Sequence, residues 1–235
     1  MHKIDFQTIG HYQNYPNLRP FVGKKYGDGM SKLLFVGESH YLPGNLGQQI
    51  KGDFYKIDEG ALLSRFPPLK DSIGWLKPSI IIGHNYMKGA KHNKAFTIFS
   101  NIGKSMLTNF DANDHKDVWD YTAFLNYYLR PAEKEGESIK ADNQDNHFAY
   151  ENLIEVSYLL KPDRIIFLSS KAFKAFKKAD KRIQKCQYGV DWVPHPGSAW
   201  WNRKAKKYGE NSVTISGKEK FEQILRKLNP VSGTS

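Results

Sequence analysis

Two short stretches of this chain bring together side chains that can polarise a bond. Gly37-Glu38-Ser39-His40-Tyr41 sets a carboxylate, a hydroxyl, an imidazole and a phenol in consecutive positions, and His195-Pro196-Gly197-Ser198 offers a second imidazole in a Pro-Gly turn. Asn126, an amide shortly before Leu129-Arg130-Pro131, is a third polar position. In open α/β sheets, ligands bind beyond the carboxyl ends of the strands, so the positions of these residues depend on the elements that precede them.

Leu33-Leu34-Phe35-Val36 is a continuous apolar run, too short for a helix and closed by Gly37, which reads as a buried parallel strand. Asp117 to Tyr128 is aromatic and β-branched and reads as a second strand running into Asn126. Asp163 to Ser169 reads as a third, and Gln187 to Pro194 as a fourth ending at His195. Between them fall helical patterns: within His92 to Phe110, over about 147–161 with Asn146 as cap, and over about 171–185 with Ser170 as cap. Ser216 and Glu219 have capping-box spacing before a C-terminal helix carrying Phe221, Ile224, Leu225 and Leu228 on one face. Residues 1–32 read as an irregular leader, 133–146 as a surface loop and 231–235 as a frayed tail.

This alternation predicts a three-layer α/β/α sandwich, with helices on both faces of a mostly parallel four-stranded sheet. Right-handed crossovers put the three polar strand ends on one edge, where they can converge. At 235 residues and 40% hydrophobic composition, a single domain spanning 1–235 is expected. Cys186 is the only cysteine, which excludes an intrachain disulfide and a Cys-ligated zinc or iron–sulfur site. A cytoplasmic setting follows as the default, and no apolar run reaches the length of a membrane span. The net charge of +11 points to an acidic partner, nucleic acid before membrane. Residues 161–210 carry 13 Lys and Arg against 4 Asp and Glu, concentrating the excess beside the His195 motif.

Phe35-Val36-Gly37-Glu38-Ser39-His40-Tyr41, the strand ending at Asn126 before Leu-Arg-Pro, Ile165-Ile166-Phe167-Leu168, and His195-Pro196-Gly197-Ser198 occur in an order that resembles the uracil-DNA glycosylase superfamily. The resemblance spans about residues 33–228 and implies metal-independent excision of uracil or another damaged base from single- or double-stranded DNA, by a protein expected to be monomeric and to need no cofactor. It implies that Glu38 helps place the attacking water and that His195 stabilises the departing base anion. Asn126 would read the base edge, with Gly37 and Tyr41 near the base. Ser39 stands where active relatives carry aspartate, and His40 replaces a proline. Cleaving an N-glycosidic bond leaves positive charge on the sugar and negative charge on the base, so a carboxylate and a hydrogen-bond donor suit its two sides. The base must first be extruded from the duplex. Phe54 or Tyr55 would stack on it, and Ser198, Trp200, Trp201, Arg203 and Lys204 would wedge the duplex and bind flanking phosphates.

Plainer roles stand beside these: a capping carboxylate and a turn histidine for Glu38 and His40, a satisfied turn amide for Asn126, core packing for Trp200 and Trp201. Two other functions also fit. Ser39 in place of aspartate suits a nucleic-acid-binding module with altered chemistry. Gly-Glu-Ser-His also resembles the G-E-x-H signature of erythromycin-esterase-like and some metal-dependent hydrolases, for which His84, His92 or His195 would be further ligands.

Overall fold

A computed structural model describes residues 4–28, 31–89, 96–107, 112–209 and 213–228. Its centre is a five-stranded mixed sheet of order β1-β3-β2-β4-β5, formed by β1 (Phe21–Val22), β2 (Leu33–Gly37), β3 (Thr122–Asn126), β4 (Arg164–Phe167) and β5 (Gly189–Trp192). The expected four strands are present and mutually parallel. The expectation of an irregular leader is corrected: residues 21–22 add a fifth strand, antiparallel to β3, with Phe21 opposite Phe124. Short helices at Gly10–Asn14 and Pro16–Leu18 precede it, and Tyr12, Tyr15 and Leu18 are buried.

The central strands β2, β3 and β4 are mostly apolar because both faces of the sheet are covered there, whereas the edge strand β5 carries Asp191 and is half-buried. Leu34, Val36, Ala123, Leu125, Ile165 and Phe167 join one core, with Tyr150 and Leu153 of helix Asn143–Leu160 and Phe176 of helix Ser170–Ile183. Leu33, Phe35, Phe124 and Ile166 point the other way, toward Phe99, Ile102 and Met106 of helix Thr97–Met106 and Phe221 and Leu225 of helix Gly217–Leu228.

Several boundaries differ from expectation for visible reasons. Residues Asp117–Tyr121 form a 3-10 helix, and the strand begins only at Thr122. The preceding turn buries Trp119, whose Nε1 donates to the Phe99 carbonyl at 3.2 Å. Asp142, not Asn146, caps the helix at 143, in a reciprocal capping box with Asp145. Ser169, not Ser170, caps the helix at 170. The Ser216–Glu219 capping box is present as expected. The polar loop at 133–146 is not simply surface: Ile139 is fully buried, and Arg130 before it, 1% exposed, forks onto Asp145 with both bonds at 2.8 Å and onto Glu133 at 3.0 Å. Residues 92–95, Phe110 and the tail at 231–235 lie outside the described residues. Among the described residues, no helix is long and apolar enough to cross a membrane.

Candidate functional site

At the carboxyl ends of β2 and β3 the hydrogen-bonded ladder continues into the turns. The Tyr127 and Tyr128 amides donate to the carbonyls of Gly37 and Glu38 at 3.2 and 2.9 Å, and the Ala132 amide donates to that of His40 at 2.9 Å. The Glu38-Ser39-His40 turn is therefore held by backbone pairing. On the other side, Val193 donates to Phe167 at 2.8 Å, carrying the chain from β5 to His195. Asn101 Nδ2 donates to the Pro196 carbonyl at 2.8 Å and ties the His195 turn to helix Thr97–Met106.

These turns open on one cavity of about 720 Å³, whose lining includes Gly37, Glu38, Ser39, His40, Tyr41, Asn126 and His195. Seven of the residues selected from the sequence thus meet at one place. The same lining also includes the apolar side chains of Trp75, Ile81, Ile82, Phe96, Ile98, Phe99 and Phe124, which make up a largely apolar wall. Such a wall suits a flat, weakly polar ring better than a charged or flexible ligand.

Glu38 is held on both carboxylate oxygens. Ser138 Oγ donates to Oε1, and Ser169 Oγ donates to Oε2 at 2.6 Å. His195 accepts the Gly197 N–H on Nδ1 at 3.1 Å, which leaves Nε2 as the protonated nitrogen of the neutral ring. The residue as a whole is exposed, yet protein packed around the ring takes water from it and lowers its pKa, against a smaller upward pull from Glu38, so the ring is neutral with one N–H to donate.

His40 is 4% exposed, and burial together with neighbouring His11 lowers its pKa to about 3. Its neutral ring accepts on Nδ1 from Asn126 Nδ2 at 3.3 Å, since an amide nitrogen can only donate. Asn126 lies across Gly37, where an added Cβ would come within 2.3 Å of Asn126 Oδ1. Ser39 is buried, its Oγ without a hydrogen bond of good geometry, although the Tyr41 hydroxyl is close enough to feel it. Burial, with the Glu38 charge adding to it, raises the Tyr41 phenol pKa, so that group stays protonated and can donate.

Other selected residues fall elsewhere. Phe54 does not line the cavity: it is fully buried in the core, stacked on Tyr15 with ring centroids 4.6 Å apart. Tyr55 is also occupied, donating to Asp145 at 2.9 Å. Trp201 is 2% exposed and packs on Phe221, so it cannot act as a wedge without leaving the core. Trp200 is 44% exposed, with Lys207 Nζ 4.6 Å from its ring centroid. Arg203 and Lys204 are exposed, Lys204 facing Glu219 at 3.5 Å, while Ser198 Oγ is buried without a partner. His84 does not line the cavity, and His92 is outside the described residues. Among the described residues, no three His, Cys, Asp or Glu side chains converge as a metal site would require.

Sequence reasoning missed the aromatic wall and the residues that hold the site. Trp75 comes from a segment without clear periodicity, Phe96 reads in sequence only as part of a helix packing on the sheet, and Ser138 lies in a polar loop where nothing in the sequence separates it from its neighbours. No protein-family model and no curated protein sequence matches this chain.

Proposed function

We propose that the protein is a base-excision glycosylase of the uracil-DNA glycosylase type, with the three-layer α/β/α fold of that superfamily, hydrolysing the N-glycosidic bond of a base flipped out of DNA. One observation supports this reading: Glu38 and the neutral His195 border one cavity whose lining also holds the aromatic rings of Trp75, Phe96, Phe99 and Phe124, suited to a flat ring.

In this reading the base enters between the aromatic wall and the strand ends. As the bond stretches, Glu38 faces the cationic sugar and orients water toward its anomeric carbon. His195 Nε2–H donates to the base oxygen on which negative charge accumulates. Asn126 has its second amide hydrogen available for the base edge, the first being engaged by His40. The exposed cations Lys174, Lys177, Lys178, Lys181 and Arg182 on helix Ser170–Ile183, with Arg203 and Lys206 near the His195 turn, supply phosphate contacts. Trp200, exposed and close in sequence to the His195 turn, would fill the vacated stack.

The experiment is single-turnover excision from single- and double-stranded oligonucleotides carrying uracil, hypoxanthine or xanthine, before and after chelator treatment. Chelator-resistant base loss is expected. His195→Ala should slow it by about 10²–10³-fold, the range for removing one transition-state donor, with DNA affinity retained. Tight, salt-sensitive DNA binding with no base released would replace this reading with that of a binding module. Absence of both would overturn the nucleic-acid assignment.

A further inference from the structure

The groups around Glu38 form a chain of donors that runs in one direction. Lys171 Nζ lies 2.9 Å from Ser138 Oγ and also donates to the Ile139 carbonyl. An ammonium group cannot accept a hydrogen bond, so Ser138 accepts from Lys171 and its single proton is left for Glu38 Oε1. On the other side, Ser169 Oγ caps its helix by accepting the Ala172 N–H at 3.3 Å, and its single proton is therefore left for Glu38 Oε2 at 2.6 Å. A carboxylate oxygen only accepts, so each hydroxyl gives its one proton to Glu38 while its lone pairs take the Lys171 ammonium or the Ala172 N–H. Hydrogen bonds of this kind, from a hydroxyl to a charged oxygen, are among the stronger ones.

The segment that carries Ser138 is itself anchored. The Lys140 amide donates to Glu133 at 2.9 Å, Glu133 accepts from Arg130 at 3.0 Å, and Ile139 is fully buried between these points. Ser138, Ser169 and Lys171 do not line the cavity, whereas Glu38 does. Any effect they have on a ligand there passes through the carboxylate.

We infer that Ser138, Ser169 and Lys171 are positioning residues that hold Glu38 as a hydrogen-bond acceptor facing the cavity. The carboxylate so held presents negative charge to a cationic sugar and to the proton of an attacking water, and it does not deliver a proton to the departing base. Stabilisation of that base is left to His195. The inference rests on the glycosylase reading for its chemistry and on the hydrogen bonds alone for its geometry, and the two are tested separately.

Single-turnover excision and duplex affinity should be measured for Ser138→Ala, Ser138→Thr, Lys171→Met and the double variant Ser138→Ala with Lys171→Met. Loss of a hydrogen bond to a charged group predicts a rate about 10–100-fold lower for Ser138→Ala and for Lys171→Met, at unchanged Kd for DNA. Ser138→Thr, which keeps the hydroxyl, should restore most of the rate. The double variant should be no slower than the slower single variant, since the two act as one unit. Full activity in Ser138→Ala would overturn the inference. So would a Lys171→Met variant that loses DNA affinity but not rate, because Lys171 would then be a phosphate contact.

A crystal structure reads the geometry without any turnover. The Ser138 and Ser169 hydroxyls are expected within hydrogen-bond distance of the two Glu38 oxygens in the wild type, with the carboxylate turned away from this position in the double variant Ser138→Ala with Lys171→Met. If that geometry is found while the wild type releases no base, the glycosylase reading fails and the clamp stands. If the wild type releases base and Glu38 does not meet both hydroxyls, the clamp fails alone.

Discussion

Asn126 Oδ1 lies where a Cβ on Gly37 would be, 2.3 Å from that position, and the Phe124 ring follows at 2.9 Å. The glycine at the end of β2 is required by this close approach of a side chain from the neighbouring strand. Gly37→Ala should therefore push Asn126 off His40 and out of the base-edge position. Excision should fall by at least about tenfold, with a stability loss of about 1–3 kcal/mol for the overpacked contact. A crystal structure of the variant together with its single-turnover rate checks both, and an unmoved Asn126 with a normal rate would remove the amide from the mechanism.

Burial holds two histidines neutral: His40, against this amide, with its pKa at about 3, and His11, at about 4. In the unfolded chain each titrates near its ordinary value of 6.5. Below that pH the unfolded state binds protons that the folded state refuses. Stability is therefore fully present above 6.5 and is lost as pH falls toward 4 and then 3. The effect is on the order of a few kcal/mol at its acid end. His11 Nε2 is buried without a partner and its ring stacks on Tyr15, so His11→Phe keeps the stack and removes one of the two groups. Thermal melts from about pH 7.5 to about pH 5 should show a shallower loss of Tm in His11→Phe than in the wild type. An equal or steeper loss would show that His11 is not a source of the acid sensitivity.

The parts legible in the sequence are those whose signal is local. Leu33–Val36 and Ile165–Phe167 read as strands because a parallel sheet covered on both faces demands unbroken apolar runs, and the Ser216–Glu219 box is a contact between residues three apart. The polar turns at Glu38, Asn126 and His195 converge because strand direction alone brings them to one edge. What was not legible depends on distant partners. β1 has two residues between Pro20 and Gly23, too few to show a period, and exists because β3 offers it an edge. A proline inside a helix breaks it, yet Pro78 stands at the start of a helical turn, where a missing N–H costs nothing. Phe54 follows the first motif, where a stacking residue is expected, yet Tyr15 from the leader draws it into the core. Ser138 acquires its role from Glu38, a hundred positions away.

Arg130 looks in sequence like part of a motif near the site, but its bonds make it a structural anchor. Its guanidinium is buried against Asp145 and Glu133 and also donates to the Pro131 and Lys140 carbonyls, at 3.1 and 3.0 Å. Arg130→Met would leave Asp145 buried without its cation, while Glu133 keeps Lys51 at 2.9 Å, at a cost of about 3–5 kcal/mol. Arg130→Lys should recover little, because an ammonium cannot fork onto both oxygens of Asp145. Urea unfolding measures this directly, and a loss below about 1 kcal/mol in Arg130→Met would mean that Asp145 finds another partner.

The two tryptophans after His195 should separate cleanly, because one faces the core and the other faces water. Trp201, 2% exposed, packs on Phe221 in the layer that covers β2, so Trp201→Ala should cost about 3–5 kcal/mol of stability. Trp200, 44% exposed, has Lys207 over its ring at 4.6 Å and Tyr208 edge-on at 6.4 Å. Trp200→Ala should leave stability within about 0.5 kcal/mol of wild type. If this ring fills the space of a flipped base, its removal forfeits stacking worth about 1–3 kcal/mol, or about 5- to 150-fold in duplex affinity. A single strand has no stack to vacate, so its affinity should change much less. Measuring Kd for matched single- and double-stranded oligonucleotides with Trp200→Ala decides the point. Equal losses on both would make Trp200 a general contact surface, and no loss on either would remove it from the DNA interface.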